Sequence, residues 1–227
     1  MDSGREEVEL RRVPEEQTVE DFPESLVTVS APASATAQAY YTLGTNLRNG
    51  LAGTQSKVIV LTSPDSSDGK NTVCANLGVA LARTGSSVLI MDCDLHRPTV
   101  HELFGLRNLR GLENVLAGES GLREVQHEPL ANLRVVTTGP IPPYPAELLS
   151  SRQFKEFVHE ASTHLDYVLI DSPPVTVAPD ALILAGQGDG VLLVLDAQST
   201  PKEAVRRAMR GLESVHANVL GTVVDNA

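Results

Sequence analysis

Short runs rich in Val, Ile and Leu recur along the chain and alternate with segments whose apolar residues fall at helical spacing. The runs are KVIVLTS (57–63), SVLIMD (87–92), LRVVTT (133–138), YVLID (167–171), GVLLVLD (190–196) and VLGTVV (219–224). Nearly all are apolar without alternation, which marks strands covered on both faces. Helices are expected near 70–84, 99–105, 112–117, 151–164, 178–186 and 200–215, with Pro179 and the Ser199-Thr200-Pro201 stretch as start signals. An earlier helix, from about 33 to 51, shows Tyr40, Leu43 and Leu47 at three- and four-residue intervals. The pattern predicts one α/β domain: a doubly wound, mostly parallel sheet flanked by helices.

The first 33 residues break the pattern. They carry Glu6, Glu7, Glu9, Glu15, Glu16, Glu20, Asp21 and Glu24 with Pro14, Pro23 and Pro32, and few residues that could bury a face. Residues 1–33 therefore read as a disordered acidic tail and 34–227 as the folded domain.

Composition narrows the partners. A net charge of -11 repels nucleic acid and anionic lipid alike, and with 4% aromatic residues and no Trp there is little on which bases could stack. No run approaches the length of a membrane span, and the acidic start lacks a secretory signal's pattern, so a cytoplasmic protein is expected. Cys74 and Cys93 fall in core elements and read as reduced, buried thiols.

The first strand runs through PDSSDGKNT directly into the apolar helix VCANLGVALA. Strand, loop, Gly-Lys and helix form the setting in which backbone N–H groups at a helix N-terminus hold phosphate oxygens and a lysine neutralises them. Ser66, Ser67, Asp68, Gly69, Lys70, Asn71 and Thr72 are the candidate phosphate-binding residues. The match to GxxxxGK[ST] is imperfect, with Pro64 for the first Gly and Asn71 for the hydroxyl. Two further elements strengthen it: the second strand ends in Asp92 and Asp94, and YVLID ends in Asp171. Ligands of open α/β sheets bind outside the carboxyl ends of the strands, and Mg²⁺ takes one or two carboxylates there beside phosphate oxygens.

These segments resemble the bacterial tyrosine kinases of capsular and exopolysaccharide synthesis, within the larger P-loop NTPase group that includes MinD and ParA. The resemblance runs from about Gln38 to Asp225, and its most specific parts are VLIMDCDLHRPTVHELFGLRNLRGLENVLAGE and DYVLIDSPPVTVAPDALILAGQGDGVLLVL. It implies ATP and Mg²⁺ as cofactors, transfer of the γ-phosphate to tyrosine, and a membrane-spanning polysaccharide chain-length regulator as partner. It further implies that Lys70 grips the phosphates and Thr72 a phosphate nearer the ribose. Asp94 and Asp171, with Asn71 in the hydroxyl position, would hold the metal, and Asp92 would accept the tyrosine proton.

The chain departs from that family in four places. Asn71 replaces a Ser or Thr, and Ser66-Ser67 replaces Pro-Gly. In the helix associated with ring assembly, Gln38, Tyr41 and Gly44 replace charged residues, so a homo-oligomer by that route is in question. The sequence ends in VVDNA without a tyrosine cluster, its only tyrosines being Tyr40, Tyr41, Tyr144 and Tyr167, the last expected to pack. Three functions stay open: an ATP-dependent tyrosine kinase, a nucleotide-binding scaffold for a membrane partner, and a MinD/ParA-like ATPase.

Overall fold

The computed structural model describes residues 22–51, 57–66 and 69–225. Seven strands are present among them: β1 (Lys57–Thr62), β2 (Val88–Asp92), β3 (Gln126–Leu130), β4 (Leu133–Val136), β5 (Tyr167–Asp171), β6 (Gly190–Asp196) and β7 (Val219–Asp225). They form one sheet in the order β3-β4-β2-β5-β1-β6-β7, parallel throughout except for the β3–β4 edge pair.

Successive residues of each buried strand supply two different cores. Ile59, Leu61, Ile90 and Leu169 face one layer of helices, while Val58, Val60, Met91 and Ile170 face the other. The apolar runs therefore alternate after all, between two dry faces rather than between core and water. On the first face lie α1 (Val27–Ser30), α2 (Ala35–Gly50), α3 (Lys70–Arg83) and α4 (Val100–Leu103). On the second lie α5 (Leu112–Leu116), α6 (Leu122–Val125), α7 (Pro145–Ser150), α8 (Arg152–His164), α9 (Asp180–Ala185) and α10 (Lys202–Ser214).

The six expected strands and seven expected helices are all present; α1, α6, α7 and β3 are additions. β3 eluded the apolar-run criterion because QHEPL is a half-exposed edge strand, where a proline is tolerated. The two cysteines are buried free thiols, and burial pushes both thiols up, as in inert structural cysteines. Tyr167 is buried with the Lys57 ammonium 4.8 Å from its ring centre, a packing role as expected.

The boundary at residue 33 needs correction. Residues 1–21 lie outside the described residues, but Phe22, Leu26 and Val29 are buried in the same core as α2 and α3. A buried amide holds this segment down: Asn76 of α3 accepts from the backbone N–H and the hydroxyl of Thr28, both at 3.0 Å, and donates to the Ser25 carbonyl at 2.9 Å. Charge and proline counts obscured three apolar residues spaced to bury one side. Leu26→Ala should lower unfolding free energy by about 2–4 kcal/mol, as for a fully buried leucine. Urea denaturation measures it, and a change under about 0.5 kcal/mol, ordinary for a surface position, would return the segment to the tail.

Candidate nucleotide and metal site

The chain leaves β1 and turns at Gly69, whose φ of 69° lies in the left-handed region, to begin α3 at Lys70. Glycine is suited here twice over, because a Cβ would also come within 2.7 Å of an Asp225 carboxylate oxygen. The end of β1 and the loop after it are laced to the segment that follows β5: Ser172 donates from both backbone N–H and hydroxyl to the Leu61 carbonyl at 3.0 Å, Val175 N–H to the Ser63 carbonyl at 2.9 Å, and Thr176 Oγ1 to the Pro64 carbonyl at 2.6 Å. These bonds fix the phosphate loop against the strand that carries Asp171.

Lys70 ends among the carboxylates. Its Nζ lies 2.5 Å from Asn71 Oδ1, 3.0 Å from Asp94 Oδ2 and 3.5 Å from Asp171 Oδ2. Burial alone would depress the lysine, but Asp171, Asp94 and Asp92 outweigh it and hold its pKa above the ordinary value. Burial, only partly countered by Lys70, pushes the Asp171 carboxyl up to about 6. Asp92, fully buried and next to Asp171 in the sheet register, is raised well above the carboxylate range by burial and by that neighbour.

One buried ammonium among three buried carboxylates leaves unbalanced negative charge, and among the described residues neither oxygen of Asp171 has a hydrogen-bond partner, Lys70 Nζ standing 3.5 Å away as an ion-pair contact. Such a set suits a hard divalent cation. Asp94, Asp171 and the amide oxygen of Asn71 are the oxygens that could hold one. Among the described residues no three His, Cys, Asp or Glu side chains form a closed metal cage. A cation here would have to complete its shell with phosphate and water oxygens.

The other expected residues are placed as follows. Asn71 gives its amide N–H to Thr99 Oγ1, which turns its carbonyl oxygen toward Lys70. Thr72 is half-buried on the first turn of α3, and Ser66 is exposed on the loop. Ser67 and Asp68 lie outside the described residues. Asp92 accepts from the backbone N–H groups of Asp94 (3.2 Å) and Val100 (3.1 Å), so its carboxylate shapes the loop that carries Asp94.

Sequence reasoning missed Thr99, which orients Asn71, and Asp180, a buried acid whose Oδ2 lies 2.7 Å from His96 Nε2. An Asp just after Pro179 at a helix start was the available signal, and it reads equally well as a cap. A cavity of about 310 Å³ opens beside Asn71 and Asp94, walled by His96, Pro173, Pro174 and Val177. Larger cavities of about 370 and 410 Å³, lined by residues such as Lys155 and Asp166, lie toward the amino ends of the strands, away from these motifs.

A strand-to-helix Gly-Lys turn at the carboxyl end of a parallel sheet, with acidic residues closing the two neighbouring strands, defines a P-loop NTPase. The family model described as ParA: NUBPL iron-transfer P-loop NTPase matches residues 54–227. The chain is similar to the tyrosine-protein kinase YwqD of Bacillus subtilis strain 168, at 38% identity over 202 residues, 88% of this chain and 85% of that protein. It is also similar to two solved structures. The kinase domain of Escherichia coli tyrosine kinase ETK gives a TM-score of 0.85 at 28% identity, covering 96% of this chain and 86% of that one. The chimerical protein CapA2B2 gives 0.84 at 32% identity, covering 89% of each. The chain belongs to the family of bacterial tyrosine-protein kinases, a branch of the ParA-type P-loop NTPases.

Proposed function

We propose that the protein binds Mg-ATP and transfers its γ-phosphate to tyrosine, in the control of capsular or exopolysaccharide synthesis and export. The observation that carries this is the convergence of Lys70, Asn71, Asp94 and Asp171 at the N-terminus of α3. Backbone N–H groups and Lys70 would hold the phosphates, with Thr72 nearer the ribose. Asn71, Asp94 and Asp171 would hold the magnesium, which supplies charge neutralisation between phosphate oxygens when bound. Phosphoryl transfer needs little beyond such positioning and electrostatics. Asp92, raised by its burial, is the carboxylate assigned to receive the acceptor's proton, and its bonds to Asp94 and Val100 keep it in place for that.

The test is incubation of the purified protein with Mg-ATP and tyrosine-containing substrates, read by anti-phosphotyrosine blotting and by nucleotide-binding calorimetry. Phosphotyrosine that depends on Lys70 supports the kinase. Nucleotide binding with no transfer to any tyrosine substrate would overturn it.

A second function is favoured by Asn71. An amide oxygen in place of a hydroxyl ligand weakens one charge-assisted contact, and a protein that holds nucleotide and docks on a membrane partner without turnover would tolerate that. Asn71→Ser should then raise Mg-dependent turnover roughly tenfold, the lower bound for regaining such a contact. Steady-state assay of the variant measures it, and a fall in turnover would show that the amide is the adapted ligand.

The membrane-spanning chain-length regulator implied by the resemblance is the proposed partner, placing the protein at the cytoplasmic face of the membrane. No helix among the described residues is long and apolar enough to cross a membrane. Gly44, one of the three altered residues of α2, is turned inward, where a Cβ would press on Leu81 of α3. Assembly through that position is not proposed.

A further inference from the structure

Four segments surround the cavity end of the sheet: 95–100 (LHRPTV), 104–111 (FGLRNLRG), 137–145 (TTGPIPPYP) and 172–179 (SPPVTVAP). None contains an Asp or Glu, in a chain that has 29 of them, and together they hold Arg97, Arg107 and Arg110. All three arginines are exposed and make no ion pair among the described residues. The same segments carry four large apolar side chains left in solvent: Leu109 (72% exposed), Tyr144 (66%), Ile141 (63%) and Val177 (61%).

The placement of these segments follows from their backbone contacts. The loop carrying Arg107, Leu109 and Arg110 docks on the residues that follow β4, with Asn108 Oδ1 accepting from Gly139 N–H at 2.7 Å and Leu112 N–H donating to the Thr137 carbonyl at 2.8 Å. A Cβ at Gly111 would run into the backbone of Thr137 and Gly139, so the two loops form one surface. β4 pairs with β2, whose carboxyl end leads to Asp94 and Arg97. Val177 and Pro173 continue the surface across the end of β5 into the cavity wall. An apolar, arginine-bearing rim thus adjoins the phosphate site of a protein whose net charge is -11.

We infer that this rim is a docking surface for an acidic peptide segment that delivers an aromatic side chain into the cavity beside Asn71 and Asp94. Carboxylates flanking the aromatic residue pair with Arg97, Arg107 and Arg110, and its neighbours cover Leu109, Ile141 and Tyr144. The ring lies against Pro173, Pro174 and Val177. That the aromatic residue is a tyrosine awaiting phosphate rests on the kinase function proposed above; the docking itself does not. Residues 1–21 of this chain are acidic but hold no tyrosine, so they are not the acceptor segment.

The test is fluorescence-polarisation binding of labelled peptides to the full chain with Mg-ADP present. Four probes are needed: tyrosine flanked by glutamates, by glutamines or by lysines, and the glutamate peptide with alanine for tyrosine. The glutamate-flanked tyrosine peptide should bind on the order of tenfold tighter than the glutamine-flanked one, as expected for a few exposed charge pairs. That preference should shrink between about 50 mM and about 300 mM salt. The doubly substituted Arg107→Ser/Arg110→Ser protein should lose the preference while keeping its ADP affinity, which shows that it is folded. Leu109→Ser/Ile141→Ser should weaken all tyrosine peptides, and alanine for tyrosine should weaken the acidic peptide several-fold. Equal binding of glutamate- and glutamine-flanked peptides, or an undiminished preference in the arginine variant, would overturn the inference. Flank-independent phosphotyrosine formation would do the same while leaving the kinase standing. Flank-dependent binding with no phosphate transfer would sustain the docking surface and count against the kinase.

Discussion

Lys70→Met should reduce phosphotyrosine formation to background and weaken nucleotide binding by roughly a hundredfold, the upper end for losing one charge-assisted contact. The methionine keeps the length and bulk of the stem, so the loss reports the ammonium. Because Lys70 is also the cation that Asp94 and Asp171 face, stability falls too. Removing one partner of a buried ion pair costs about 3–5 kcal/mol when the other must stay charged. Here the carboxylates have an escape, since Asp171 already titrates at about 6 and without Lys70 moves higher. The stability deficit should therefore be large at pH 8, where Asp171 is held ionised without a counter-charge, and small at pH 5, where it is protonated in both proteins. Urea denaturation at the two pH values checks this. A variant with native nucleotide affinity would remove Lys70 from the site.

The parallel sheet and the strand-end acids were legible because they follow from short-range rules. An unbroken apolar run bounded by polar residues has few other uses, and Asp92, Asp94 and Asp171 stand where such runs stop. What was hidden depended on long-range pairing. Asn76 sits inside an apolar helix and gives no local sign that it holds Ser25 and Thr28 across some fifty residues of chain. Thr99 falls at the start of the helix expected near 99–105 and gives no sign there that its hydroxyl receives the Asn71 amide. The role of Asp92 shifted in emphasis for a similar reason. A strand-end carboxylate looks solvent-facing in sequence, whereas two backbone N–H groups from the following loop fold over it and bury it completely. The docking rim was invisible as a motif because it is a property of four separated loops. Only the sheet order brings those acid-free segments together.

Asp171→Asn should give opposite signs for stability and for function. Asp171 is fully buried, its oxygens lack hydrogen bonds among the described residues, and its carboxyl is shifted from 3.8 to about 6. The native state thus holds the proton more tightly than the unfolded chain. This group's contribution to stability is complete below the unfolded pKa of about 3.9 and is lost as pH rises through about 6. At pH 7.5 the ionised carboxylate costs the free protein about 3 kcal/mol, from roughly two units at 1.36 kcal/mol each. An amide of the same shape removes that cost but places two N–H donors near the Lys70 ammonium, so a net gain of about 1–3 kcal/mol is expected. The gain should vanish near pH 3, below both pKa values, where the carboxyl is neutral in both states. Magnesium-dependent nucleotide affinity should move the other way, falling at least tenfold, because an amide oxygen is a weaker partner for a hard cation than a carboxylate. Denaturation curves across this pH range, paired with calorimetry with and without magnesium, separate the two effects. A variant less stable than the parent at pH 7.5, or one whose nucleotide affinity responds normally to magnesium, would show that Asp171 is held in place for some purpose other than the metal.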